Sequence, residues 1–289
     1  MFGECHAHML MDGVNYQAAV ERHRGGVSDR DIRAHLKAYR DVGVSYVRDG
    51  GDGLLVSKRA KELAPEYGID YRTPVFAIHK NGHYGGIVGL GFDTMREYHA
   101  LVKSAAAQGA DFIKIMTTGI LDFRCYGRIT GEPLDQEEVK EMVHIAHGEG
   151  FAVMSHTNGV PGVRAALEAG VDSLEHGNYM DEETIQMLSE SSTVWVPTLV
   201  TIRNLLGCGR YQDRELLKIQ RAAERSLRLA YQKGASLALG SDGGAYMVPH
   251  GWGILEEYRA VFSILGEEPQ INRCLEEGES QIRRRFQRS

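Results

Sequence analysis

Along this chain, short and nearly continuous apolar runs alternate with longer stretches whose apolar residues recur every three or four positions. Runs of the first kind, bounded by turn residues, read as strands buried on both faces; the second spacing reads as amphipathic helix. Gly3-Glu4-Cys5-His6-Ala7-His8-Met9 is the first strand, followed by a loop over 13–27. Ser28-Asp29-Arg30-Asp31 starts a helix that runs through Leu36 and Tyr39 to about residue 41, and Gly43 ends it. Residues 44–49 form the second strand, 54–67 a helix and 70–78 the third strand. The glycine-rich stretch 79–92 has no GxGxxG opening a helix, so a substrate loop fits it better than a phosphate cradle.

The pattern then repeats. A helix begins near Thr94, and 111–116 is an apolar strand interrupted by Lys114 alone. Asp135 caps a helix through Val143 to His147, and 151–156 is the next strand. A short helix ends at Ala169-Gly170, the strand 173–177 follows, and Asp181 starts another helix. Residues 193–199 are a strand, 214–232 a long helix, and 236–243 roughly the eighth strand. This regular alternation predicts parallel βα units and, with about eight of them, a (β/α)8 TIM barrel forming a single domain over 1–289. An open doubly wound sheet is the other arrangement of such units, but its Gly-rich phosphate turn after the first strand is missing.

Composition adds bounds. With 289 residues, 43% hydrophobic and 25% charged, the chain has the make-up of a globular domain with ample core, and barrels of this length fold as one unit. A formal net charge of −6 argues against a nucleic-acid partner, and the basic tail Arg283-Arg284-Arg285-Phe286-Gln287-Arg288 reads as a solvated helix end. No apolar run approaches a membrane span. Cys5, Cys125, Cys208 and Cys274 are scattered without CxxC spacing, and Glu4, His6, His8 and Asp12 interrupt any secretory signal, so a cytoplasmic location is expected. A small-molecule substrate is the expected partner, and a homo-oligomer is compatible with the sequence.

The chemistry lies at strand ends. His6 and His8, two apart on a strand, point the same way and can bind one metal ion. Lys114, His156, His176 and Asp242 also sit at or near C-terminal strand ends, the face on which barrels build active sites. Each has an ordinary explanation of its own: a snorkelling lysine, hydrogen-bonded imidazoles, a capping aspartate. All six converging by chance is improbable. His144 and His147, three apart on a helix, read as a surface pair, and His23, His35 and His99 as surface residues.

These residues carry a resemblance. His6-Ala7-His8, Gly82-His83, the segment 109–116, Ser155-His156-Thr157-Asn158, the segment 169–177, Val196-Pro197-Thr198-Leu199 and Leu239-Gly240-Ser241-Asp242 occur in the order seen in the metal-dependent amidohydrolase superfamily. The branch they resemble is the imidazolonepropionase-like and Xaa-Arg or Xaa-Pro dipeptidase-like one. The resemblance implies that His6, His8 and Asp242 hold one divalent ion and His156 and His176 a second. Lys114, as N6-carboxylysine, would bridge them. Zinc suits this ligand set best. Most relatives also carry a small β-sandwich, which this sequence, starting at the His-x-His, is expected to lack.

The implied reaction is hydrolysis of an amide C–N bond in a dipeptide, an N-acyl amino acid or a cyclic amide. A metal-bound hydroxide attacks the carbonyl, with Asp242 as general base and then acid. His83 is expected to face the substrate, as a catalytic or binding group, and Tyr126, Arg128 and His250 to contact it from the loops. The same ions would also serve an ester, a lactone or another electrophile. A non-catalytic metal-binding barrel is the remaining reading, but a scaffold needs neither Lys114 nor Asp242.

Overall fold

The computed structural model describes residues 3–288. It opens with β1 (Glu4–Ala7), α1 (Tyr16–Arg24), α2 (Asp29–Asp41), β2 (Tyr46–Asp49), α3 (Val56–Leu63), β3 (Asp70–Arg72), β4 (Ala77–Lys80) and β5 (Gly89–Phe92). Then follow α4 (Met95–Ala107), β6 (Ile113–Met116), α5 (Gln136–Gly148), β7 (Val153–Thr157), α6 (Val160–Ala169), β8 (Ser173–His176), α7 (Glu182–Glu190) and β9 (Val194–Val196). Helices α8 (Val200–Arg203), α9 (Asp213–Gln232), α10 (Trp252–Leu265) and α11 (Pro269–Arg285) complete the chain.

Helix starts follow the capping chemistry of the sequence. The side chains of Ser28, Thr94, Asp135 and Asp181 accept backbone N–H groups at the starts of α2, α4, α5 and α7, and Thr94 forms a full capping box with Glu97. On α2, Ile32, Leu36 and Tyr39 are the buried face, spaced as one helical stripe requires.

The strands form two parallel sheets, β1-β2-β3 and β5-β4-β6-β7-β8-β9. Between β9 and β1 runs the segment 236–243, bonded to both without being a regular strand itself. Ala238 N donates to Trp195 O at 3.0 Å, Cys5 N to Leu239 O at 3.0 Å, and Asp242 N to His6 O at 2.8 Å. Gly240 permits this approach, since a Cβ there would lie 2.6 Å from Val196 Cγ1 and 2.8 Å from His6 N. On the other side, Asp111 N donates to Thr73 O at 2.9 Å. Beneath the strands, Phe112, Met154, Val194 and Val196 pack with Ile282 and Phe286, the latter two from the last helix and its cap.

Three expectations are corrected. The strand 70–78 is two strands in different sheets: Pro74 has no N–H to donate and Val75 adopts φ 69°. The stretch 79–92 holds two strands, β4 continuing to Lys80 and β5 pairing with it in parallel. Gly89 makes that pairing possible, because a Cβ there would sit 2.5 Å from Ala77 O. Finally, 13–27 is not all loop, since Asn15 caps α1 within it; that helix buries only Ala19 and His23, too little to leave an apolar period.

Candidate metal centre

The register of the larger sheet brings the strand-end residues together. Met116 lies opposite His156, and Thr157 opposite His176, so Lys114, His156 and His176 rise along adjacent strands. The segment 236–243 delivers Asp242 beside His6 and His8. Asp242 Oδ1 lies 3.7 Å from His6 Nε2 and 3.5 Å from His8 Nε2. Lys114, 1% exposed, places Nζ 3.4 Å from His6 Nε2. The His6 ring lies 5.0 Å from that of His176, which lies 4.5 Å from that of His156.

Electrostatics favour the imidazole form that a cation needs. Burial first, and then the neighbouring Lys114, push His8 and His156 down to about 3. His6 and His176 are also held well below the ordinary value, chiefly by burial. The imidazoles are therefore neutral, with a lone pair each to give. Burial lowers Lys114 and raises Asp242. Asp242 Oδ1 is buried and accepts no hydrogen bond among the described residues. An orphaned carboxylate oxygen facing neutral imidazole nitrogens fits a divalent cation.

The surrounding groups orient these ligands. His6 donates Nδ1–H to Glu175 Oε2 at 2.7 Å, which leaves Nε2 facing Asp242. His156 donates Nε2–H to Gly119 O at 3.2 Å, leaving Nδ1 with the lone pair, and His176 Nδ1 meets Thr198 Oγ1 at 2.8 Å. Non-glycine residues with left-handed backbone cluster here: His176 at φ 68°, Thr198 at 50° and Asp242 at 61°. Strain of this kind persists where function requires a side chain to be aimed. Gly50 lies against His8, so close that a Cβ would be 2.3 Å from His8 Cε1.

A cavity of about 330 Å3 opens onto His8, Lys114, His156, His176 and Asp242. Four expected substrate contacts lie elsewhere. His83 is half-buried with Nδ1 3.3 Å from Glu132 O, and its neighbour Tyr84 takes the cavity wall instead, 5.1 Å from the His156 ring. Tyr126 is exposed and packs edge-on against Tyr179, and Arg128 is exposed beside Asp122. His250 is buried behind the cavity between Tyr39 Oη and Met11 O. Sequence reading missed Glu175, Arg48, Gly50 and the cavity-lining Arg210. Glu175 stands next to His176 in a strand-end motif, which is the one signal that marks it. Among the other histidines, His147 has a carboxylate partner, Asp172, at 2.8 Å, His99 pairs with Glu149 at 2.6 Å, and His23 is buried rather than at the surface.

No protein-family profile matches the chain. It is 29% identical over 207 residues to ochratoxinase of Aspergillus niger, an alignment covering 69% of this chain and 41% of that protein. In structure it superposes on A. niger ochratoxinase with TM-score 0.76 at 19% identity, over 97% of this chain and 69% of the other. In fold it is also similar to a solved amidohydrolase, with TM-score 0.70 at 20% identity, over 91% of this chain and 69% of that one. The structure of a Xaa-Pro dipeptidase with bound methionine in its active site matches with TM-score 0.73 at 22% identity, over 96% of this chain and 75% of that one. The chain spans about two fifths of the length of the ochratoxinase it matches, 41%.

Proposed function

We propose that this chain is a metal-dependent hydrolase of amide C–N bonds, acting on a small substrate such as a dipeptide, an N-acyl amino acid or a cyclic amide. One observation carries the reading. His6, His8 and Asp242 bring ligand atoms within 4.8 Å of one another, beside a buried lysine and at the wall of a cavity. Similarity to a Xaa-Pro dipeptidase with an amino acid in its active site supports the substrate class.

In this reading His6, His8 and Asp242 would hold one divalent ion and His156 and His176 a second, both best satisfied by zinc, and Lys114 would serve both as N6-carboxylysine. A lysine whose ammonium is disfavoured by burial is more readily the neutral amine that takes up CO2. The ions supply Lewis acidity, polarising the carbonyl and acidifying water. The protein does the rest. Asp242, with Oδ1 turned to the ion's ligands His6 and His8, would take the proton from the attacking water on its other oxygen, Oδ2, and pass it to the leaving nitrogen. Tyr84 and the apolar walls exclude bulk water from the reacting atoms.

The finer architecture is part of the proposal: with 236–243 bonded to both sheets, the chain is a (β/α)8 barrel, one domain over 1–289. None of the four cysteines is bonded to another among the described residues, which supports a cytoplasmic setting. None of the helices described is long and apolar enough to cross a membrane. Its partner is a small-molecule substrate, and it is compatible with a homo-oligomer. The test is elemental analysis of the purified protein, followed by a screen against dipeptide and N-acyl amino acid libraries with zinc or manganese. Hydrolysis that is lost on chelation and restored by metal supports the reading; absence of metal together with absence of metal-stimulated activity ends it.

A further inference from the structure

Three charged side chains line the cavity. Two of them, Lys114 and Asp242, belong to the metal centre; the third is Arg210, on the loop between α8 and α9. We propose that Arg210 is the specificity residue of this cavity, receiving a carboxylate of the substrate while the scissile carbonyl lies at the metal centre. The inference rests on the amide-hydrolase reading and deepens it: the substrate is an acylated amino acid with a free carboxylate and an apolar side chain, not a neutral cyclic amide.

Among the described residues the Arg210 guanidinium makes no ion pair and no hydrogen bond. Arg128, by comparison, has Asp122 within 3.8 Å. Arg210 is nevertheless held in place: its guanidinium carbon lies 4.8 Å from the ring centre of Tyr246 and 5.5 Å from that of Tyr211. Aromatic faces attract the cation and fix its plane while leaving its N–H edges free. A planar fork with unspent donors matches a carboxylate in two parallel hydrogen bonds. Arg210 is exposed, whereas Lys114, in the lining of the same cavity, is buried. The same cavity is lined by apolar Met11, Ile87, Val88, Ile120 and Leu205. A volume of about 330 Å3 sits at the small end of ligand pockets, so one amino acid and a short acyl group fill it.

The test uses the zinc-loaded protein and two substrates with the same scissile amide, N-acetyl-L-leucine and N-acetyl-L-leucinol, which differ only in carboxylate against hydroxymethyl. Arg210→Met is expected to raise KM for the acid by about 10-fold, as for a charged hydrogen bond discounted for exposure, and to leave the alcohol within about twofold. Arg210→Lys, which keeps the charge but not the fork, is expected to fall between. An unchanged preference for acid over alcohol in Arg210→Met overturns the proposal. Calorimetry with 4-methylpentanoate and 4-methylpentan-1-ol decides it even where neither amide is hydrolysed, and so separates it from the catalytic reading. The expected result is carboxylate binding by the wild type that weakens about 10-fold in Arg210→Met while alcohol binding is unchanged. No carboxylate binding by the wild type, or equal binding by both proteins, overturns it.

Discussion

His6 and Glu175 lie 169 positions apart in the chain and meet at 2.7 Å, imidazole Nδ1 against carboxylate Oε2, with both side chains fully buried. The other oxygen of Glu175 accepts from Arg48 Nη2 at 2.8 Å, and Arg48 in turn donates to Cys5 O and Ser173 Oγ. Its guanidinium also lies 4.3 Å from the centre of the Phe286 ring. A continuous stack thus runs from the apolar floor through Arg48 and Glu175 to the first metal ligand. Glu175→Gln is expected to weaken metal binding about 10- to 100-fold, the usual cost of losing an orienting carboxylate. Competition with a chromophoric chelator measures it. Arg48→Met leaves Glu175 buried without its cation and is expected to cost about 3–5 kcal/mol of stability in denaturant titration.

Gly50 makes a different demand on the site. Its φ is not in the left-handed region, so alanine suits its backbone, yet a Cβ would sit 2.3 Å from His8 Cε1. Gly50→Ala is therefore expected to fold with a loss of about 1–3 kcal/mol from overpacking and to bind metal at least about 10-fold more weakly, because the His8 ring must turn away. Equal metal affinity in the variant and the wild type would show that the ring has room to move without leaving the site.

His147 offers a titration remote from the metal centre. Its Nε2 lies 2.8 Å from Asp172 Oδ2, and that hydrogen bond raises its pKa above the ordinary value of 6.5 despite partial burial. The stability this pair adds is fully present below pH 6.5 and is lost as pH rises through the raised value in the fold. The side chain is 41% exposed, so screening limits the effect to about 0.5 kcal/mol. A proton NMR titration should place His147 above 6.5, and Asp172→Asn should return it to the ordinary range. The same value in both proteins would mean that the pair is not formed in solution.

What the chain discloses before folding depends on how local the cause is. Helix caps such as Ser28, Thr94 and Asp135 act within one turn, and the corresponding helices begin where those residues stand. His6 and His8 are legible as a pair because strand periodicity fixes which way each side chain points, whereas Asp242, at φ 61° on a segment that is not a regular strand, is set by no such period. Glu175 and Arg48 are not, since a charged residue in an apolar strand gains its meaning from partners on other strands. The split of 70–78 and the presence of β5 follow from long-range pairing, which the proline and glycines permit without announcing. Arg210 lies in an irregular loop, where no period shows what its side chain faces.

The central claim is a two-metal site bridged by a carboxylated lysine, and Lys114 decides it. Lys114→Met keeps the buried volume and removes the amine, so a lysine that merely fills the site would be replaced at little cost to the metal content. The decisive measurement is the number of divalent ions per chain, by elemental analysis, in the wild type and in Lys114→Met purified side by side. The account predicts about two in the wild type and one or fewer in Lys114→Met, and in Lys114→Ala, which leaves a gap, short carboxylic acids partly restore the missing ion. Full and equal metal occupancy in both proteins would contradict it.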